Sequence, residues 1–296
     1  MPNELRSLTE SFIDKASKLR VAVVGETILD EFVEVVYEGH SMKSFCPVFR
    51  FAEGKEKTVQ QGGAAAIAGH LRDFVKEVNL ISNKNGEIVK TRFMDASDKK
   101  KHVEVNRFER AGFGPVKIDT RDYDIVIVAD FGHGFCDQLQ VNDGFHLMCQ
   151  TNSNNFGFNR MSKWKKQRKK SVTLDIREAS LQMNRSISGY SDEDIGELFA
   201  YELNTEHLFV TLGSAGSLYS NGKKIVRQFS YKSQIVDTIG AGDTFYSFCC
   251  LLPSIQPDVS DLRIPALAAS LSTTWLCNEK SVTRESLLNY ADRFVQ

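Results

Sequence analysis

Seven consecutive residues, Asp237-Thr238-Ile239-Gly240-Ala241-Gly242-Asp243, concentrate the groups best suited to chemistry. They follow the apolar alternation Ser233-Gln234-Ile235-Val236, which reads as a strand end, and run into an apolar helical pattern through Leu252. Glycines at 240 and 242 let the backbone approach a ligand closely. The unpaired N–H groups of the helix's first turn point outward and favour an anion, phosphate above all. A carboxylate at 243 would repel that phosphate unless it had its own task, and taking a proton from an attacking hydroxyl is such a task. The competing reading is a helix with Asp243 as an ordinary N-cap. The heptapeptide as a whole favours phosphoryl transfer.

Further candidates lie where apolar runs end. Gly25-Glu26-Thr27-Ile28-Leu29-Asp30 is not G-x-G-x-x-G, so dinucleotide binding has little support. Asp30 can accept from two adjacent hydroxyls of a polyol, or be a solvated strand-end carboxylate. Gln61-Gly62-Gly63-Ala64 opens a helix, where small residues admit a ligand or simply close packing. Thr211-Leu212-Gly213-Ser214-Ala215-Gly216 permits backbone contact with a nucleotide, or makes a plain turn into a hairpin. Asp175-Ile176-Arg177-Glu178 places acids at a helix start, where the dipole favours them. Arg92 and Arg107 could read a phosphate bidentately or stand exposed on a sheet face.

The elements that must position these groups alternate. Arg20–Gly25, Ile125–Asp130 and Leu208–Gly213 are continuous apolar runs ending in Gly or Asp, as buried parallel strands do. Helical patterns cover Ala64–Val75, Ser191–Leu203 and Asp243–Leu252. The pattern predicts an α/β fold with a doubly wound, mostly parallel sheet and ligands beyond the strands' carboxyl ends. Residues 31–59 and 90–109 break the alternation with period-two stretches such as His102–Glu109, and read as a small inserted β-sheet. The polar loop 150–159 would bind sugar hydroxyls or form Asx turns. The basic run Lys163–Lys170 reads as a solvated helix end in preference to a nucleic-acid patch.

Composition narrows the classes. With 296 residues and 42% hydrophobic content the chain can bury a full core. A net charge of −1 gives no global field for nucleic acid or membrane. Six cysteines without C-x-x-C or metal spacing suggest buried thiols in a reducing cytosol, and no stretch approaches a membrane span. A cytoplasmic protein is expected.

D-T-x-G-A-G-D resembles the C-terminal signature of the PfkB, or ribokinase-like, carbohydrate kinases. The resemblance spans about Leu19 to Leu288 and is stronger in its second half. It implies one ribokinase-like domain over 1–296, with residues 31–59 and 90–109 as a lid that pairs two subunits. It further implies that Gly240, Ala241 and Gly242 form the hole for the transferred phosphate, with Asp243 the base. Asp30, Gly62 and Gly63, with Arg92 and Arg107 in the lid, would hold the sugar. ATP would lie along Thr211, Gly213 and Gly216, with Asp237 on the same side and Thr273–Cys277 flanking the adenine. Glu178 would position Mg²⁺ largely through water, and K⁺ is a further candidate cofactor.

Departures from the family pattern are informative. Glu26 replaces an aspartate, Ala66 and Asp175 replace asparagines, and Phe248 stands where a small residue is usual. Only Lys84–Val89 remains where relatives carry a further strand–helix unit, so a smaller sheet is expected. Lys90-Thr91-Arg92-Phe93 and Asp130–Phe135 resemble the heptose-phosphate kinase branch, without the H-x-G-H of a nucleotidyltransferase. The expected activity is ATP-dependent phosphorylation of a sugar or sugar phosphate, a heptose phosphate preferred. The alternative is an inactive kinase-like protein that binds a ligand or partner.

Overall fold

The computed structural model describes residues 4–84, 86–108, 113–150, 161–187, 191–200 and 203–294. The apolar runs form the parallel strands β1 (Arg20–Gly25), β5 (Glu77–Ser82), β9 (Ile125–Asp130), β11 (Phe145–Cys149), β12 (Lys169–Asp175) and β13 (Thr205–Thr211). Two antiparallel strands, β14 (Ser217–Ser220) and β15 (Ile225–Gln228), extend one edge, giving the order β15-β14-β13-β12-β11-β9-β1-β5. A separate short pair joins β8 (Val116–Ile118) to β10 (Leu139–Val141).

Continuous apolar strands are needed because both sheet faces are covered. In β1, Val21 and Val23 enter one apolar layer while Ala22 and Val24 enter the other. The first layer is closed by α1 (Glu4–Ala16), α2 (Ala64–Leu71), α5 (Ala241–Cys249), α6 (Leu252–Ile255), α7 (Arg263–Ser272) and α8 (Arg284–Ala291). The second is closed by α3 (Ile176–Met183) and α4 (Asp192–Ala200). Phe248 is fully buried in the first layer, edge-on to Phe74 at 4.8 Å, so aromatic packing fills the space behind the glycine turn at 240–242.

The second sheet contains β2 (Thr27–His40), β3 (Pro47–Phe51), β4 (Thr58–Gly63), β6 (Ile88–Asp95) and β7 (Lys101–Phe108). Its order is β3-β2-β6-β7, with β4 also on β2 and β2 parallel to β6. Register sorts its side chains by face. Asp30, Phe32, Lys90, Arg92, Glu104 and Asn106 share the inner face, while Glu31, Thr91, Val105 and Arg107 share the outer one. The outer face also exposes Tyr37, Phe51, Val59 and Val103.

The architecture is the expected doubly wound α/β fold with a small separate sheet. β5 is the edge strand, and only residues 83–87 separate it from β6, as the shortened segment implied. Two local expectations fail. Ser233–Val236 forms no strand; it runs beside the end of α7, where the Val236 and Asp237 amides donate to Thr273 O at 2.8 and 3.2 Å. With no neighbouring strand, alternation alone cannot make a ladder.

The basic run is not a solvated helix end either. Lys163 binds Asp130 at 2.7 Å, Lys169 is buried against Trp164 O and Gln167 O, and Arg168 and Lys170 both bind Glu206. Lys169 is thus drawn into the fold, while Lys165, Lys166 and Arg168 stay exposed.

Candidate active site

α5 begins at the glycine turn. Gly240 has φ 86°, which favours glycine, and a Cβ there would lie 2.5 Å from Asn278 Oδ1 and displace that side chain. The Ala241 amide donates to Thr238 O at 3.3 Å, while those of Gly242 and Asp243 have no acceptor among the described residues. Two N–H groups are therefore open at the positive end of a helix dipole.

Buried His70 braces this end. Its Nδ1 accepts from the Val282 amide at 3.0 Å, which leaves Nε2–H to donate to Thr244 Oγ1 at 3.0 Å. Burial lowers the His70 pKa to about 4, so the ring is neutral near pH 7. Thr244 Oγ1 in turn donates to Gly240 O at 3.0 Å, which locks the turn.

The turn forms one wall of a cavity of about 390 Å³ at the carboxyl ends of the central strands. Asp243 and Asp30 line it together, with Gly240, Gly242, Lys90 and Arg92. Burial and the nearby Asp30 charge raise the Asp243 pKa to about 7, against the opposing pull of Lys90. The carboxylate is thereby tuned to exchange a proton near neutrality.

Asp30 is buried and ion-paired to Arg92 Nη1; Arg92 Nε also donates to Glu104 at 2.9 Å. Burial opposes the Arg92 charge, but Asp30 and Glu104 outweigh it and raise the pKa. The arginine is thus neither an exposed sheet-face residue nor a guanidinium with its whole fork free for phosphate. Lys90, one register step away, lines the cavity with its pKa lowered by burial.

The remaining expected residues divide by place. Gly63 lines the cavity, whereas Gly62 backs Asp30: a Cβ on Gly62 would lie 2.3 Å from Asp30 Oδ2. Thr211, Asp175 and Glu178 line the far wall. Asp175 and Glu178 form a reciprocal capping box, Asp175 Oδ1 accepting from the Glu178 amide at 2.7 Å and Glu178 Oε2 from the Asp175 amide at 2.9 Å.

Gly213 and Gly216 lie outside the cavity lining, and Gly216 is required for packing, since a Cβ there would meet Gln228 O at 2.0 Å. Asp237 is buried beneath the turn, accepting from the Ile239 amide at 3.1 Å and pairing with Lys101 at 2.6 Å. Arg107 stands exposed on the outer sheet face, away from the cavity.

Glu26 also turns away from the cavity. It is fully buried and accepts from the His133 and Phe135 amides at 2.9 and 3.1 Å, fixing the turn after β9. Trp275 is buried in the core and offers no exposed face to adenine. Residues 151–159 of the polar loop lie outside the described residues.

Lys90, Glu104, Asn278 and His70 were not singled out as site residues from sequence. Asn278 could not have been, because it reaches Gly240 and Gly62 only through the return of the chain after α7. Lys90 could have been: it shares strand parity with Arg92.

Comparison with known proteins bears on the fold. Residues 171–248 match the model of the pfkB family carbohydrate kinase. No curated protein matches the chain in sequence. Among solved structures, a ribokinase from Thermotoga maritima is 16% identical with a TM-score of 0.66, over 93% of this chain and 99% of that one. An Arabidopsis thaliana ribokinase complexed with ribose and ATP is 17% identical with a TM-score of 0.61, over 93% and 99%. Phosphofructokinase-2 from Escherichia coli in complex with potassium is 11% identical with a TM-score of 0.62, over 94% and 100%. The class follows: a ribokinase-like α/β fold, in which residues 171–248 match the model of the pfkB family carbohydrate kinases. No helix among the described residues is long and apolar enough to cross a membrane.

Proposed function

We propose that this protein transfers the γ-phosphate of ATP to a hydroxyl of a sugar or sugar phosphate, with Asp243 as general base. The observation that carries the reading is Asp243 itself, set beside open helix amides and facing Asp30 across one cavity. In the reaction the Asp243 carboxylate takes the hydroxyl proton as that oxygen bonds to the γ-phosphorus. The bond to the bridging oxygen breaks, and ADP leaves with its electron pair. The Gly242 and Asp243 amides, with Gly240 shaping the turn, receive the charge on the transferred group.

Asp30 would accept from the sugar's hydroxyls. Lys90 would face an anionic substituent, which supports a phosphorylated sugar such as a heptose phosphate. Asp175 and Glu178 are hard oxygen donors on the cavity wall, and they would hold Mg²⁺ largely through water. The ion would neutralise phosphate charge. ATP would extend past Thr211. The exposed apolar outer face of the small sheet supports a homodimer through the lid. Five of six free cysteines are buried, which supports a reducing, cytoplasmic setting.

A second reading, an inactive kinase-like binding protein, is favoured by one observation: Ala66, at the position of the asparagine in the family pattern, is buried and does not line the cavity. ADP release measured with a panel of sugar phosphates, wild type against Asp243→Asn, separates the two. Sugar-dependent turnover confined to the wild type supports the kinase; no sugar raising turnover above the variant's level refutes it.

A further inference from the structure

One ion pair connects the small sheet to the phosphate turn from below. Lys101 opens β7, and its ammonium lies 2.6 Å from Asp237 Oδ2. The Asp237 side chain is 6% exposed and that of Lys101 is 25% exposed, so the pair is largely withdrawn from water. Asp237 also accepts from two backbone amides. Oδ1 takes that of Ile239 at 3.1 Å, inside the turn, and Oδ2 takes that of Cys277 at 3.2 Å, on the loop that carries Asn278. Asn278 reaches Gly240, and its amide donates to Gln60 of β4 at 2.8 Å. Phe32 and Met94 of the small sheet pack on Cys277 and Ile239 beside the pair. Among the described residues no other cation pairs with Asp237.

A buried carboxylate that loses its cation is strongly unfavourable, and relief comes from local rearrangement or from recruiting another cation. Here rearrangement would move Ile239 and Cys277, and with them the backbone that presents the open amides. We propose that Lys101 is a positioning residue that acts as a covalently attached monovalent cation for the phosphate turn. Its ammonium balances Asp237 and holds residues 237–243 ready for an anion. Because it is delivered by β7, the small sheet must be seated for the turn to be set. The role in turnover rests on the kinase reading; the cation requirement at Asp237 does not.

The test replaces Lys101 by Ala and compares KCl with tetramethylammonium chloride at equal ionic strength, the latter cation being too large for the space vacated. The wild type is expected to behave alike in both salts. Lys101→Ala should lose about tenfold or more in kcat in tetramethylammonium, with a smaller change in KM, as misplacement of a catalytic turn does. K⁺ or methylammonium should restore much of the loss, and Lys101→Arg should need no rescue. In parallel, the thermal unfolding midpoint of Lys101→Ala should rise with K⁺ but not with tetramethylammonium, and Asp237→Asn in that background should abolish the response. Lys101→Gln, which keeps the stem without the charge, gives the same readout should the alanine variant not fold.

A variant that matches wild type in both salts, or one that is impaired without K⁺ rescue, overturns the proposal. The thermal arm needs no turnover. If no sugar is phosphorylated, K⁺-selective stabilisation still supports the cation site while the kinase reading falls.

Discussion

The glycine turn and the inner face of the small sheet meet in one cavity but are built differently. The turn is local: Gly240, Gly242 and Asp243 lie within four positions, and helix α5 orients them. The inner face is assembled from a distance, with Asp30, Lys90, Arg92 and Glu104 brought together by β2–β6 and β6–β7 register. The turn offers an uncommitted carboxylate and open amides; the sheet offers Asp30, Arg92 and Glu104 already paired, with Lys90 beside them. Under the proposed function, the first region would carry the proton and phosphate chemistry and the second would recognise the substrate by fixed charge.

Changes at the turn should chiefly affect rate, and changes at the sheet stability and substrate affinity. The largest effect is expected from Asp243→Asn, which should reduce kcat by about 100- to 10,000-fold, the usual contribution of a general base, in an ADP-release assay. With wild type, kcat/KM should fall as pH drops below about 7, since the base must be ionised. Stability should show the opposite sign. A carboxyl raised from 3.8 to about 7 binds its proton more tightly folded than unfolded, so this contribution is present at low pH and lost as pH rises through that window. Thermal melts of Asp243→Asn should lack this loss and stand above wild type at pH 8.

Arg92→Ala should cost about 3–5 kcal/mol in denaturant unfolding, because it strands buried Asp30 without its partner. Gly240→Ala should cost about 1–3 kcal/mol of backbone strain and further kcat, since φ 86° and the contact with Asn278 both oppose a methyl group. Arg107→Ala, on the outer face, should change stability by no more than about 0.5 kcal/mol and leave KM for sugar unchanged. A large KM effect at Arg107 would break the division between the two faces.

Much of the fold was legible because its signals are short-range. β1 and β9 match their apolar runs residue for residue, since a strand covered on both faces can contain little else. Failures occurred where local pattern met distant partners. Ser233–Val236 alternates but has no strand to join. Lys163–Lys170 looks like a solvated face until Asp130 and Glu206 arrive from elsewhere. The reading of Arg92 and Arg107 as equivalent lid arginines failed on parity: fifteen positions apart on two antiparallel strands, they fall on opposite faces. Gly216 looked like a ligand contact because glycine signals close approach without saying to what; the approach is to Gln228.

Sequence by itself determined the turn, the base candidate and the alternation of strand and helix, because each depends on residues adjacent along the chain. Tertiary structure alone decided that Asp30 faces Asp243, that Lys90 belongs to the cavity, that Glu26 does not, and that Lys101 reaches Asp237 across 136 positions. Those outcomes depend on sheet register and on the charges that burial forces together, and neither is written in any local stretch of the chain.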